Sequence, residues 1–307
     1  GRVLYYAVPI IMTGLSVGFA FKTGLFNIGT PGQFIIGAFA AVYVGVKWTF
    51  LPGSIHWLVA ILAAFAAGGL WAVIPGVMKA YLNVNEVISS IMMNYIGMYL
   101  VNYSVSLVLF DALRNQSLPV ASTAVIPKMG FDKIFTGSPA NGGFVIAILF
   151  VILIYIILNK TSFGYEMKAC GFNKDASKYA GINEKRNIIL SMVIAGALAG
   201  VGGGLLYLSG SGKFIEVVDV LPAEGFNGIP VALLGLSNPI GVLFAGLFIA
   251  YLNVGGNAMQ QFGFIPQIVD IIISCIIYCS ALSLMIKVWL SKRRKTKELG
   301  TAKKEGE

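Results

Sequence analysis

Residues 142–158 read GGFVIAILFVILIYIIL, a run without a single charge, bounded by Asn141 before it and by Asn159 and Lys160 after it. At about 20 apolar residues per crossing, such a run reads as a membrane-spanning helix. Working outward, the same pattern recurs at Leu4 to Phe21, Leu25 to Val46, Trp57 to Met78 and Val87 to Phe110 on one side. On the other side lie Ile188 to Leu208, Phe226 to Leu236, Ile240 to Val254 and Ile268 to Leu290, making nine segments. Composition agrees: the 307 residues are 57% hydrophobic and 11% charged, with mean hydropathy +0.82, where a soluble domain carries roughly 25% charged residues. The expected fold class is an all-α polytopic membrane protein with its spans in lipid.

Two segments depart from a plain crossing. The second carries Gly29-Thr30-Pro31-Gly32 near its start, and Phe226 to Leu236 is short with Pro230 inside. Freed backbone N–H and C=O groups find no water in hydrocarbon, so such backbone must be packed in protein or line a cavity. Broken or short helices therefore point to a transport path.

Lysine and arginine accumulate in cytoplasmic loops. If residues 159–187 are cytoplasmic, their Lys160, Lys168, Lys174, Lys178, Lys185 and Arg186 join Lys22, Lys79 and the basic tail 291–307. Arg2, Lys47, Arg114, Lys128, Lys133 and Lys213 then face outside. This bias holds if Phe226 to Leu236 counts as a crossing. It places Gly1 outside, so one further span is expected upstream, ten in the full protein. The first run lacks a basic front and a cleavage site, and reads as a span rather than a signal peptide. Residues 1–290 are expected to form one transmembrane domain, with 111–141 an extracytoplasmic loop or short helices over the outer mouth. The +9 net charge does not indicate nucleic acid, because the basic residues lie in gaps between spans rather than on one solvated face.

Enzymatic chemistry finds little support. His56 is the only histidine and sits beside Trp57 at an expected interface; no His-Glu-x-x-His or paired-Asp motif appears, and the three cysteines have neither disulfide nor zinc spacing. Gly210-Ser211-Gly212-Lys213 lacks the first Gly and the final Ser/Thr of a phosphate loop, so ATP hydrolysis is not expected in this chain. No catalytic or metal-binding residue is assigned, and no cofactor. The spans are nearly free of the mid-membrane charges that mark ion-coupled pathways. They hold carboxamides instead, and Asn27, Gln33, Asn94, Asn227 and Asn253 are the expected lining of a path for a neutral, hydroxylated or heterocyclic solute. The competing reading of each is helix-to-helix bonding. Gly196, Gly200 and Gly204, and likewise Gly14 and Gly18, recur every fourth residue and predict close helix packing. An intramembrane enzyme and an ion-coupled carrier remain the rivals from other classes.

Residues 159–187 read as two short helices parted by Gly171 and closed by Gly181. A charged helical loop of this length between two spans is expected to dock a partner.

Three stretches resemble permease subunits of bacterial ABC importers of the branched-chain amino acid, ribose and nucleoside type, and within them nucleoside permeases. They are Leu25-Phe26-Asn27-Ile28-Gly29 with Gly32-Gln33-Phe34; Asn85-Glu86-Val87-Ile88-Ser89-Ser90-Ile91-Met92-Met93-Asn94-Tyr95; and Glu224-Gly225-Phe226-Asn227-Gly228-Ile229-Pro230-Val231-Ala232-Leu233-Leu234-Gly235. The family's coupling loop maps onto Gly164, Lys168, Ala169, Gly171, Asn173, Ala176 with Ser177, and Gly181-Ile182. Lys168 stands where Arg is usual, and Lys174 where Pro often follows the Asn. The resemblance implies a multi-pass protein of the bacterial plasma membrane. It also implies a second homologous permease subunit, cytoplasmic ABC ATPases that hold ATP and Mg, and an extracytoplasmic solute-binding protein or lipoprotein. Gly164, Glu166, Lys168, Gly171, Asp175 and Gly181 are the expected contacts to the ATPase. A permease for simple sugars is the nearest alternative.

Overall fold

The computed structural model describes residues 1–263, 265, 267–279 and 282. In chain order the elements are α1 (Arg2–Lys22), α2 (Thr30–Lys47), α3 (Gly53–Leu82), α4 (Glu86–Val108), a small hairpin of β1 (Phe110–Asp111) and β2 (Gln116–Ser117), α5 (Phe131–Ile134) and α6 (Gly143–Lys160). There follow α7 (Ser162–Phe172), α8 (Lys174–Tyr179), α9 (Glu184–Tyr207), α10 (Ala223–Phe226), α11 (Gly228–Leu234) and α12 (Pro239–Met259). Among the described residues six helices are long and apolar enough to cross a membrane: α1, α3, α4, α6, α9 and α12. The fold is that of an all-α polytopic membrane protein. The basic tail 291–307 and most of the segment Ile268 to Leu290 lie outside the described residues.

Burial sorts the crossings into inner and outer ones. In α1 and α9, 83% and 78% of the apolar stretch is buried, against 28–39% in α3, α4, α6 and α12. Of the two inner helices, α9 is glycine-rich. A Cβ on Gly200 would run into the carbonyl oxygen of Ala64 on α3, one on Gly203 into that of Phe34 on α2, and one on Gly196 into Ala72. Backbone-to-backbone contact is how helices gain packing energy where lipid is as apolar as leucine. On α1, Gly14 receives Val231 of α11, where a Cβ would sit 2.7 Å from Cγ1. The expected packing glycines are thus placed as packing glycines.

Two ends of the bundle are distinguishable. At one, Gly1 lies beside Ser138, Ala121 N donates to Gly45 O, and Ile126 N donates to Leu208 O at 3.0 Å. His56 belongs there as well; it stands in the first turn of α3 rather than in a loop, fully buried between Thr123 Oγ1 (2.8 Å) and Val44 O (3.0 Å). At the other end, the turn after α1 meets α7, Lys79 pairs with Glu86 at 2.7 Å, and the Lys185 ammonium sits 4.7 Å over the Tyr81 ring. Residues 111–141 and 159–187 therefore occupy opposite ends, as the basic-residue count requires.

Residues 1–254 form one compact unit and the described residues from Gly255 onward belong to another. In the second, Gly256 packs against Val269 and an apolar helix runs over Gln267–Cys279.

Candidate functional site

The second segment is broken where the sequence indicates. α1 ends at Lys22, Gly24 takes φ +75°, and residues 24–29 run without helix until Pro31 opens α2 in its first turn. Carboxamides hold this irregular stretch. Asn27 Nδ2 donates to Gln33 Oε1 (2.8 Å) and to Ser16 Oγ of α1 (3.2 Å), while Gln33 Nε2 and Gly29 N donate to Asn27 Oδ1, both at 3.1 Å. Asn94 of α4 closes the other side: its Oδ1 accepts from Gly32 N (2.9 Å) and its Nδ2 donates to Ile28 O (3.0 Å). Asn94 stands about 12 Å along α4 from Glu86, at about 1.5 Å per residue, well inside the crossing. All three side chains are at least 98% buried. Gly29 N, Gly32 N and Ile28 O, freed by the break, are thus satisfied internally, as hydrocarbon surroundings demand.

A second discontinuity enters from the opposite end. Residues 213–222 are non-helical; near the outer end Ser117 N donates to Ile215 O (2.8 Å). Farther in, Glu224 O accepts from Thr13 Oγ1, midway along α1, at 3.2 Å. A Cβ on Gly225 would lie 2.5 Å from Pro31 Cα, so the two breaks abut. α10 and α11 follow, and α11 packs against α1. The short Phe226 to Leu236 segment is thus made of two short helices preceded by non-helical chain.

Of the five expected path residues, Asn27, Gln33 and Asn94 are brought together. Asn227 lies half-buried at the α10–α11 junction and Asn253 half-buried on α12; among the described residues neither side chain is hydrogen-bonded. Thr13, Ser16 and Thr30 belong to the buried polar cluster as well, and hydroxyls scattered in apolar runs carry no sequence signal that marks them.

The loop of residues 159–187 is built differently. Thr161 caps α7 by accepting from Gly164 N (3.1 Å), and Asn173 caps α8 by accepting from Ala176 N (3.0 Å). The break between the two helices falls at Asn173, not at Gly171. Gly171 is helical because it must be small: a Cβ there would lie 2.5 Å from Thr23 C and 2.6 Å from Gly24 N. Gly164 abuts the end of α6, where a Cβ would sit 2.7 Å from Leu158 Cα, and Gly181 follows α8 at φ +79°. Glu166 and Lys168 are half-buried and Asp175 is exposed. Phe172 and Tyr179 are 90% and 95% exposed. Phe172 borders a cavity of about 650 Å³ whose wall includes Lys22, Tyr165, Lys168, Ala176 and Asn238.

Buried helices crossed by two abutting breaks, with a separate structured handle at one end, define a multi-pass membrane protein of the transporter class. The family model described as branched-chain amino acid transport system / permease component matches residues 1–281, and the chain belongs to that family. It is 39% identical to the guanosine ABC transporter permease protein NupP of Bacillus subtilis over 96% of this chain and 84% of that protein. It is 36% identical to the nucleoside ABC transporter permease protein NupB of Lactococcus lactis, over 100% and 85%. A glucose ABC transporter permease of Haloferax volcanii is 33% identical over 90% and 74%. No solved structure matches the chain.

Proposed function

We propose that this chain is the membrane-spanning permease subunit of an ATP-driven nucleoside importer of the bacterial plasma membrane. The observation that carries the substrate class is the pair of relatives named for guanosine and nucleosides, each aligned over nearly the whole chain. ATP and Mg act in a partner ATPase, a second permease subunit completes the path, and an extracytoplasmic binding protein delivers solute. The chain itself performs no hydrolysis.

Gly164, Glu166, Lys168, Gly171, Asp175 and Gly181 form the ATPase contact. Gly164 and Gly171 transmit motion, since each presses loop backbone directly on the end of α6 or the turn after α1. That turn leads into the broken segment, so a displacement of α7 reaches the junction of the two breaks in one step. Coupling requires that the loop bind one packing of the helices better than the other. Asn27, Gln33 and Asn94 act on the path by holding the break, while Asn227 and Asn253, whose side chains have no hydrogen-bond partner among the described residues, offer amides to a solute.

The test is uptake of labelled guanosine, adenosine and uridine by the complete transporter in proteoliposomes, with ribose and glucose as competitors. Nucleoside uptake indifferent to both sugars is expected; uptake of a sugar alone overturns the substrate reading.

A further inference from the structure

The outward face of α4 mixes tyrosines with apolar side chains such as Met92, Ile96, Leu100 and Leu107. The helix's amides and Ser90 face inward, while Tyr95, Tyr99 and Tyr103, spaced every fourth residue on one face, are 50%, 55% and 65% exposed. Among the described residues their hydroxyls have no hydrogen-bond partner. Tyr95 and Tyr99 each stand two residues from the helix midpoint, about 3 Å along the axis. Tyrosine normally sits at headgroup level, where its hydroxyl reaches water; a hydroxyl without a partner in hydrocarbon is costly.

A second observation concerns one of the inward-facing amides. Asn102 is adjacent to Tyr103 in sequence and three residues from Tyr99. Its Nδ2 donates to Val218 O (2.9 Å) and to Asp219 Oδ1 (3.3 Å), and its own Oδ1 is buried without a partner among the described residues. Asn102 lies about 9 Å inside the outer end of α4, so Asp219 is held at membrane depth. Yet Val218, Asp219 and Val220 are exposed and their backbone is non-helical. Exposed irregular backbone bearing a carboxylate is tolerated at that depth only where it lines water.

We propose that Tyr95, Tyr99 and Tyr103 of α4, with Asp219 held by Asn102 of the same helix, form the wall of the translocation path that holds the solute. The phenol rings stack on a heterocyclic base and the carboxylate accepts hydrogen bonds from the sugar hydroxyls. Stacking on aromatic rings tolerates every base because each has a π-face, and a carboxylate with two oxygens matches a pair of neighbouring hydroxyls. The assignment of solute groups rests on the nucleoside reading above; the placement of water against this face does not.

The experiment uses the complete transporter in proteoliposomes, with Cys170, Cys275 and Cys279 replaced and one reporter introduced, Tyr99→Cys or Tyr103→Cys. A water-soluble, membrane-impermeant thiol reagent should label both reporters, and saturating transported nucleoside should slow labelling at least tenfold. Absence of labelling at both positions overturns the proposal, as does labelling that nucleoside leaves unchanged. A disulfide joining the two permease subunits through Tyr99→Cys, without labelling, assigns the face to the subunit interface and also overturns it. In parallel, Asp219→Asn keeps the bond from Asn102 and should raise the KM for ribonucleosides at least tenfold at unchanged kcat, while the KM for 2′,3′-dideoxynucleosides stays put. Equal shifts for both reject the role of the carboxylate. Failure of the nucleoside reading is seen separately, as an unsubstituted transporter that carries no nucleoside. Failure of this proposal leaves that uptake intact and the cysteines unlabelled or unprotected.

Discussion

The junction of the two breaks and the inner-face loop use the same residue types in opposite ways. At the junction, Asn27, Gln33 and Asn94 spend their donors and acceptors on each other and on local backbone. In the loop, Asn173 and Thr161 only cap helices, and Phe172 and Tyr179 present nearly their whole surface to solvent. Polar groups enclosed by lipid and protein must be satisfied within the chain, whereas groups at a water-facing end are free for a partner. The same kind of substitution should therefore be read as stability in one region and as coupling in the other.

The largest difference is expected between glycines. Gly200→Leu puts a side chain where α3 backbone already lies and should abolish folded protein in detergent size-exclusion. Gly181→Ala has open space around it and strains only φ. It should cost about 1 kcal/mol, seen as a small drop in thermal midpoint. Next, Asn27→Ala leaves the Gln33 amide and Gly29 N–H buried without a partner. It should cost about 1–3 kcal/mol for each such group and lower the melting midpoint in detergent clearly. The matching change in the loop, Asn173→Ala, removes one cap and should cost about 1 kcal/mol, confined to exchange protection of α8. The smallest stability effect is expected from Glu166→Lys, within about 0.5 kcal/mol. Solute-stimulated ATP hydrolysis in the reconstituted complex should nevertheless be lost. A junction indifferent to Asn27→Ala, or a loop that melts on Glu166→Lys, would erase the contrast.

Much of this architecture is legible in the sequence because hydrocarbon imposes simple requirements. Uncharged runs mark the crossings, Gly29-Thr30-Pro31-Gly32 marks the first break, and Gly196 and Gly200 mark close packing. Partner choice is not legible in the same way. That Asn27 bonds Gln33 across a turn, while Asn94 reaches Gly32 from another helix, depends on how α2 and α4 dock. Gly171 misleads for a related reason: a glycine reads as a breaker, yet here it is helical and small because Gly24 lies against it. The tyrosines of α4 pass as ordinary apolar positions until their exposure and depth are known.

The central claim is that energy for transport arrives from a separate ATPase through the inner-face loop. The most direct measurement compares solute accumulation in liposomes holding this chain alone, with ion gradients imposed, against liposomes holding the complete transporter with ATP and binding protein. Uphill accumulation only in the complete assembly is the predicted result. Concentration of solute by the chain alone would contradict the account.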